Sequence, residues 1–113
     1  MVRLIVMYNL PQGADEDAFL QWRLNHHQRA NAALPGVVRT DFAKVVQAWP
    51  AGAGPRFRFV TILEWPGRQE FENAFFAPRV QAELRQNLER LGEFEYSICE
   101  IQASSANGEG AHS

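Results

Sequence analysis

Asp15-Glu16-Asp17-Ala18-Phe19-Leu20-Gln21-Trp22-Arg23-Leu24-Asn25-His26-His27, followed after six residues by Leu34-Pro35-Gly36, sets one helix between two strands. Asp15 reads as an N-cap, and Glu16 and Asp17 suit the positive end of a helix dipole. The helix is expected over residues 16–33, with Leu34-Pro35-Gly36 closing it. Upstream, residues 2–8 are rich in β-formers and read as a first strand, ended by Asn9-Leu10-Pro11-Gln12-Gly13. Downstream, residues 37–49 read as a long second strand, and residues 50–55 as the clearest loop. Residues 57–65 read as a third strand. Phe57, Phe59, Thr61, Leu63 and Trp65 fall on one of its faces, and Arg58, Val60, Ile62 and Glu64 on the other. Both faces carry large side chains, so both are expected to be covered.

Pro66-Gly67 opens a second helical region, which Pro78 divides into a short helix over 68–76 and a longer one starting at Pro78. Val80, Leu84, Leu88 and Leu91 lie at the offsets of one buried helix stripe, and Gly92 ends it. Residues 94–101 read as the last strand. The order βαββαβ predicts an α+β, ferredoxin-like fold with a four-stranded antiparallel sheet and helices on one face. The uncovered face predicts a homodimer. Residues 1–103 form the expected domain, and 104–113 have the composition of a disordered tail.

A chain of 113 residues with 46% hydrophobic residues supports one folded domain and argues against disorder. Eleven basic and thirteen acidic residues give a net charge of −2 with no basic block, which argues against a nucleic-acid partner. Cys99 stands alone, so no internal disulfide and no cysteine-based zinc site is expected. The apolar run at the start is too short for a signal peptide or a membrane span, so the expected location is cytoplasmic, away from membranes.

At 100° per residue, Phe19, Leu20, His27, Ala30 and Leu34 share one arc of the first helix, with Arg23 in its middle. An inward cation and imidazole are costly unless they meet polar partners or line a wet cavity. Catalysis is therefore expected at His27, as a proton carrier, and at Arg23, as a group binding a carboxylate, phenolate or enolate oxygen. The alternative is a buried structural histidine beside an arginine that snorkels at the edge. Tyr8, Trp22, Phe42, Phe59, Trp65 and Phe76 are candidates to line a ligand pocket, while Phe75 and Tyr96 have the same aromatic character; core packing is the simpler explanation of any one of them. His26 and His27 are adjacent, so they point about 100° apart and make no metal pair, and His112 lies in the tail. No metal site and no cofactor is expected. Phosphate loops, dinucleotide-binding glycine patterns and nucleophile elbows are missing from the sequence.

The run Phe19-Leu20-Gln21-Trp22-Arg23-Leu24-Asn25-His26-His27 before Leu34-Pro35-Gly36 resembles the EthD-like family, with His27 at the position of that family's late-helix histidine. Arg29 stands where the family commonly has proline. The second half, from Phe59 through Trp65 to the Phe-rich helix, also resembles the RedY-like proteins of pigment-biosynthesis clusters. Both groups belong to the dimeric α+β barrel class, which includes cofactor-free monooxygenases, polyketide cyclases and muconolactone isomerases. The resemblance implies a small homodimer acting, without a cofactor, on a hydrophobic aromatic or polyketide-like carbonyl compound. Alternatives are a non-catalytic dimer that carries a pathway intermediate, and a haem-binding member of the same class.

Overall fold

The computed structural model describes residues 1–50, 52 and 54–106 of the chain. Its elements run β1 (Val2–Tyr8), α1 (Glu16–Trp22), a π turn (Arg23–His27), α2 (Gln28–Ala32), β2 (Arg39–Lys44), β3 (Phe59–Trp65), α3 (Arg68–Phe75), α4 (Pro78–Leu88) and β4 (Phe94–Glu100). The strands form one sheet in the order β2-β3-β1-β4, with every neighbouring pair antiparallel. This is the α+β, ferredoxin-like arrangement with two outer strands flanking two central ones.

Alternation along the central strands divides the sheet into two faces. Val2, Leu4, Val6 and Tyr8 on β1, with Phe59, Thr61, Leu63 and Trp65 on β3, are buried beneath the helices. Phe71 and Ala74 from α3 complete the core from above. The intervening Arg3, Ile5 and Met7, with Val60, Ile62 and Glu64, occupy the other face and are only partly covered.

Asp15 caps α1, its carboxylate accepting from the Ala18 amide at 3.1 Å. After α2 the chain reverses through Leu34-Pro35-Gly36-Val37, where the Val37 amide donates to the Leu34 carbonyl at 3.2 Å. Gly36 has φ +77°, and with Pro35 before it this is the sequence a type II turn needs. The Pro35 carbonyl, turned outward, accepts from the Trp65 indole N–H at 3.0 Å, so the turn after the helix is tied to the end of β3. Gly92 is constrained in another way: a Cβ there would lie 2.8 Å from the Leu10 carbonyl oxygen, and its amide donates to Asn9 at 2.7 Å.

Two expectations need correction. The second strand is short, Arg39–Lys44 rather than 37–49. It can last only while β3 supplies partners. One further bond, from the Val45 amide to the Arg58 carbonyl, ends the pairing, and Val46 and Trp49 stand 87% and 89% exposed beyond it. The first helix is interrupted by a π turn, marked by the Gln28 amide donating to the Arg23 carbonyl. Residues 104–106 carry no regular secondary structure, and the remainder of the expected tail, with His112, lies outside the described residues. No helix among the described residues is long and apolar enough to cross a membrane.

Candidate functional site

The helices do not seal the sheet. Between the first helical arm and α4 they leave a cavity of about 120 Å³, partly open to solvent. Its floor is built from Leu4, Val6, Tyr8, Thr61, Leu63, Trp65 and Tyr96. One wall carries Phe19, Trp22, Arg23 and His27, and the other carries Val80, Leu84 and Asn87. Of the expected stripe, Val80, Leu84 and Leu91 are only half-buried because they face the cavity rather than a filled core, and Leu88 is half-buried without lining it.

The π turn decides what the first wall presents. In an α-helix, residues five apart point about 140° away from each other at 100° per residue. Here two such pairs meet. The rings of Trp22 and His27 stack with centroids 4.7 Å apart and 21° between planes. Arg23 Nη1 donates to Gln28 Oε1 at 2.7 Å. One extra residue in the turn thus aligns an aromatic with the imidazole and a polar amide with the guanidinium, a placement typical of π turns at functional sites.

Arg23 is 1% exposed. Its Nη2 donates to Thr61 Oγ1 at 3.1 Å, and Thr61 shares a further hydrogen bond of 3.1 Å with the Tyr8 hydroxyl. The guanidinium lies over the Phe42 ring, 4.3 Å from its centroid. All of these partners are neutral. Burial works to lower the Arg23 pKa, offset in part by Tyr8, yet a guanidinium keeps its proton in any protein setting.

His27 is half-buried, and none of the described residues hydrogen-bonds its ring. Burial is the largest influence on it, and the nearby charges of Arg23, His26 and Arg90 act in the same direction. Together they push its pKa down to about 4. At neutral pH the imidazole is therefore uncharged, with a nitrogen lone pair able to accept a proton. The Arg90 guanidinium sits 4.5 Å from the Trp22 ring at the cavity's edge. On the sheet, burial lifts the Tyr96 hydroxyl to about 12, so it remains protonated.

The expected site residues separate into two sets. His27, Arg23, Tyr8, Trp22 and Trp65 line the cavity together. Phe42, Phe59 and Phe76 do not. Phe59 is fully buried beneath Tyr8, Phe19 and Phe42, and Phe42 serves as the surface on which Arg23 rests. Phe76 is 52% exposed, because the helix ends at Phe75 and Pro78 redirects the chain. Phe75 and Tyr96, noted in the sequence for their aromatic character, line the cavity too, and Thr61, Gln28 and Arg90 join the site without having been singled out as site residues. Thr61 could have been found from the strand alternation; Gln28 could not, because its meeting with Arg23 depends on the π turn. Among the described residues no three His, Cys, Asp or Glu side chains converge as metal ligands.

The family model described as "REDY-like protein HapK" matches residues 2–100. The crystal structure of HapK from Hahella chejuensis is 26% identical over 96% of this chain and all of its own, with a TM-score of 0.68. An EthD family protein from Bacillus halodurans is 19% identical, covering 90% of this chain and 99% of its own, with a TM-score of 0.74. SnoaB, a cofactor-independent oxygenase from Streptomyces nogalater, is 17% identical, covering 91% and 94%, with a TM-score of 0.64. The second and third of these likenesses show the shared fold. No curated protein sequence matches the chain.

Proposed function

The chain belongs to the REDY-like HapK family, and from that premise we propose that it is a small cofactor-independent enzyme acting on a hydrophobic aromatic or polyketide-like carbonyl compound. The observation that carries this reading is geometric: the His27 imidazole, unbonded by its described neighbours, lines the same largely apolar cavity as the buried Arg23 guanidinium. In the proposed step a C–H bond next to the substrate carbonyl breaks. Its proton passes to a His27 ring nitrogen, and the electron pair moves onto the carbonyl oxygen as an enolate. Arg23 steadies that oxyanion, and a bound substrate displaces water from the largely apolar floor. Proton return at another carbon is isomerisation, and attack of the enolate on a second carbonyl is cyclisation. Reaction of the enolate with molecular oxygen would be a cofactor-free oxygenation, the class named for SnoaB. Arg23 is held by Gln28, Thr61 and Phe42, so its position is set before substrate arrives.

Deuterium exchange at the carbon next to the carbonyl tests the shared first step without requiring the natural product. A panel of aryl ketones and hydroxylated polycyclic ketones in D2O, followed by NMR, is expected to contain members whose exchange the protein accelerates. The apparent second-order rate should rise with pH through about 4 and then stay level to neutrality, because the base is free of its proton above that value. A profile still rising through pH 6.5 would assign the base to another group.

A homodimer joined through the open sheet faces is part of the same reading. Ile5 and Ile62 are cross-strand partners at the middle of that face and only partly covered, with Met7 and Val60 beside them. An apolar patch of this kind on a central pair of strands is a natural seat for a second copy. In analytical ultracentrifugation the chain is expected to sediment at twice its 12.8 kDa, and Ile62→Arg is expected to return it to a folded monomer. A wild-type monomer would remove this part of the account. The accessory-protein alternative, a dimer that binds and protects an intermediate, predicts ligand binding with no exchange on any panel member.

A further inference from the structure

Arg23 is a buried cation without an anion. It is 1% exposed, it lines the cavity, and its hydrogen-bond and ring partners are Gln28, Thr61 and Phe42, all neutral. Among the described residues neither Arg23 nor Arg90, the second cation on the lining, lies within ion-pair distance of a carboxylate. The lining holds one carboxylate, Glu83, on the exposed side of α4. The other polar side chains there, Tyr8, Tyr96, Thr61, His27, Asn31 and Asn87 with the indoles of Trp22 and Trp65, include no further carboxylate. Buried charges are ordinarily paired, and a guanidinium offers five donors, of which two are used here.

We propose that the cavity takes its ligand as an anion: an aromatic ring carrying one ionised oxygen group, a carboxylate or phenolate, with Arg23 as its counter-ion. The proposal deepens the functional reading above and rests on it for the location of the site. Size agrees with it. A cavity of about 120 Å³, partly open to solvent, is comparable to the roughly 150 Å³ apolar cavity that accommodates a benzene ring. The cost of stripping water from the guanidinium is already met in the folded protein, so an arriving anion gains a charge-assisted hydrogen bond at low local dielectric. Binding of an anion also offsets the positive field that Arg23 and Arg90 impose on His27. That charge acts against burial, which is the largest influence on the imidazole, and Glu83 at the edge disfavours ligands with a second negative charge.

The test uses benzoate and its neutral isostere benzamide on the wild-type protein at pH 7, with affinities from NMR-detected titration. Benzoate is expected to bind roughly tenfold tighter or better, the margin of one charge-assisted over one neutral hydrogen bond. At saturation the His27 pKa should lie higher with benzoate than with benzamide, because both ligands displace cavity water and only benzoate brings a charge. Arg23→Gln is expected to abolish the preference, Arg23→Lys to retain part of it, and Arg90→Ala to retain most of it. If Arg23→Gln does not fold, the wild-type affinity ratio and the His27 response decide the matter unaided. Equal affinities, no benzoate binding at millimolar concentration, or loss of the preference in Arg90→Ala with its persistence in Arg23→Gln would each overturn the proposal. Failure of the enzyme reading looks different: benzoate then binds in an Arg23-dependent manner, and no ketone undergoes exchange.

Discussion

Trp65→Ala is expected to destabilise the domain by about 3–5 kcal/mol, the range for removing a fully buried large aromatic. Trp65 has no exposed surface, packs edge-on to Phe71 at 5.1 Å, and forms part of the cavity floor. Its indole also holds the Pro35 carbonyl, so truncation releases the turn that follows α2 as well as opening a void. Domains of this size have only about 5–15 kcal/mol in total, so the variant should lose a large share of its stability. Chemical denaturation at fixed protein concentration checks this, since association contributes to the apparent value. Trp65→Phe keeps the ring and loses the donor, with an expected cost of about 1–2 kcal/mol. A Trp65→Ala variant within 1 kcal/mol of wild type would show that the turn and floor are held by something else.

His27→Gln is expected to lower the carbonyl-adjacent exchange rate by about 10²–10⁴-fold, the usual contribution of a positioned general base. The fold should survive, because His27 is only half-buried and donates to no described neighbour. Its removal relieves an arrangement that disfavours protonation rather than one that stabilises the helix. Ligand affinity should change little, since the proposed anchor is Arg23. Unchanged exchange in His27→Gln, with the wild type active, would transfer the base to another residue. Lost exchange together with lost binding would point to collapse of the cavity wall, which the stack of His27 on Trp22 makes worth checking by tryptophan fluorescence.

Much of this architecture was legible in residue pattern, for identifiable reasons. Glycine and proline placed the boundaries, and the period-2 burial of β3 follows the side-chain alternation from Phe59 to Trp65. The inward direction of Arg23 and His27 followed from their four-residue spacing. What escaped the sequence depends on geometry between elements. The length of β2 is set by where β3 stops offering partners, which no local propensity encodes. The π turn is a one-residue excess in an otherwise good helical sequence, and with it went the Trp22–His27 stack and the Arg23–Gln28 bond. Aromatic content marked a pocket without indicating which rings would line it. Half-buried Phe42 and buried Tyr8 both pack on Phe59, yet of the three only Tyr8 reaches the cavity.

The neutral state of the cavity imidazole is the claim on which the rest depends, and an NMR pH titration of His27 measures it directly, with His27→Gln supplying the assignment. The account predicts a midpoint near 4, far below the ordinary histidine value of about 6.5, and a displaced resonance when an aromatic ligand enters. A midpoint near 6.5 with no response to any ligand would contradict it. His27 would then be a solvated helix residue, and the chain would be better understood as a binding or accessory dimer.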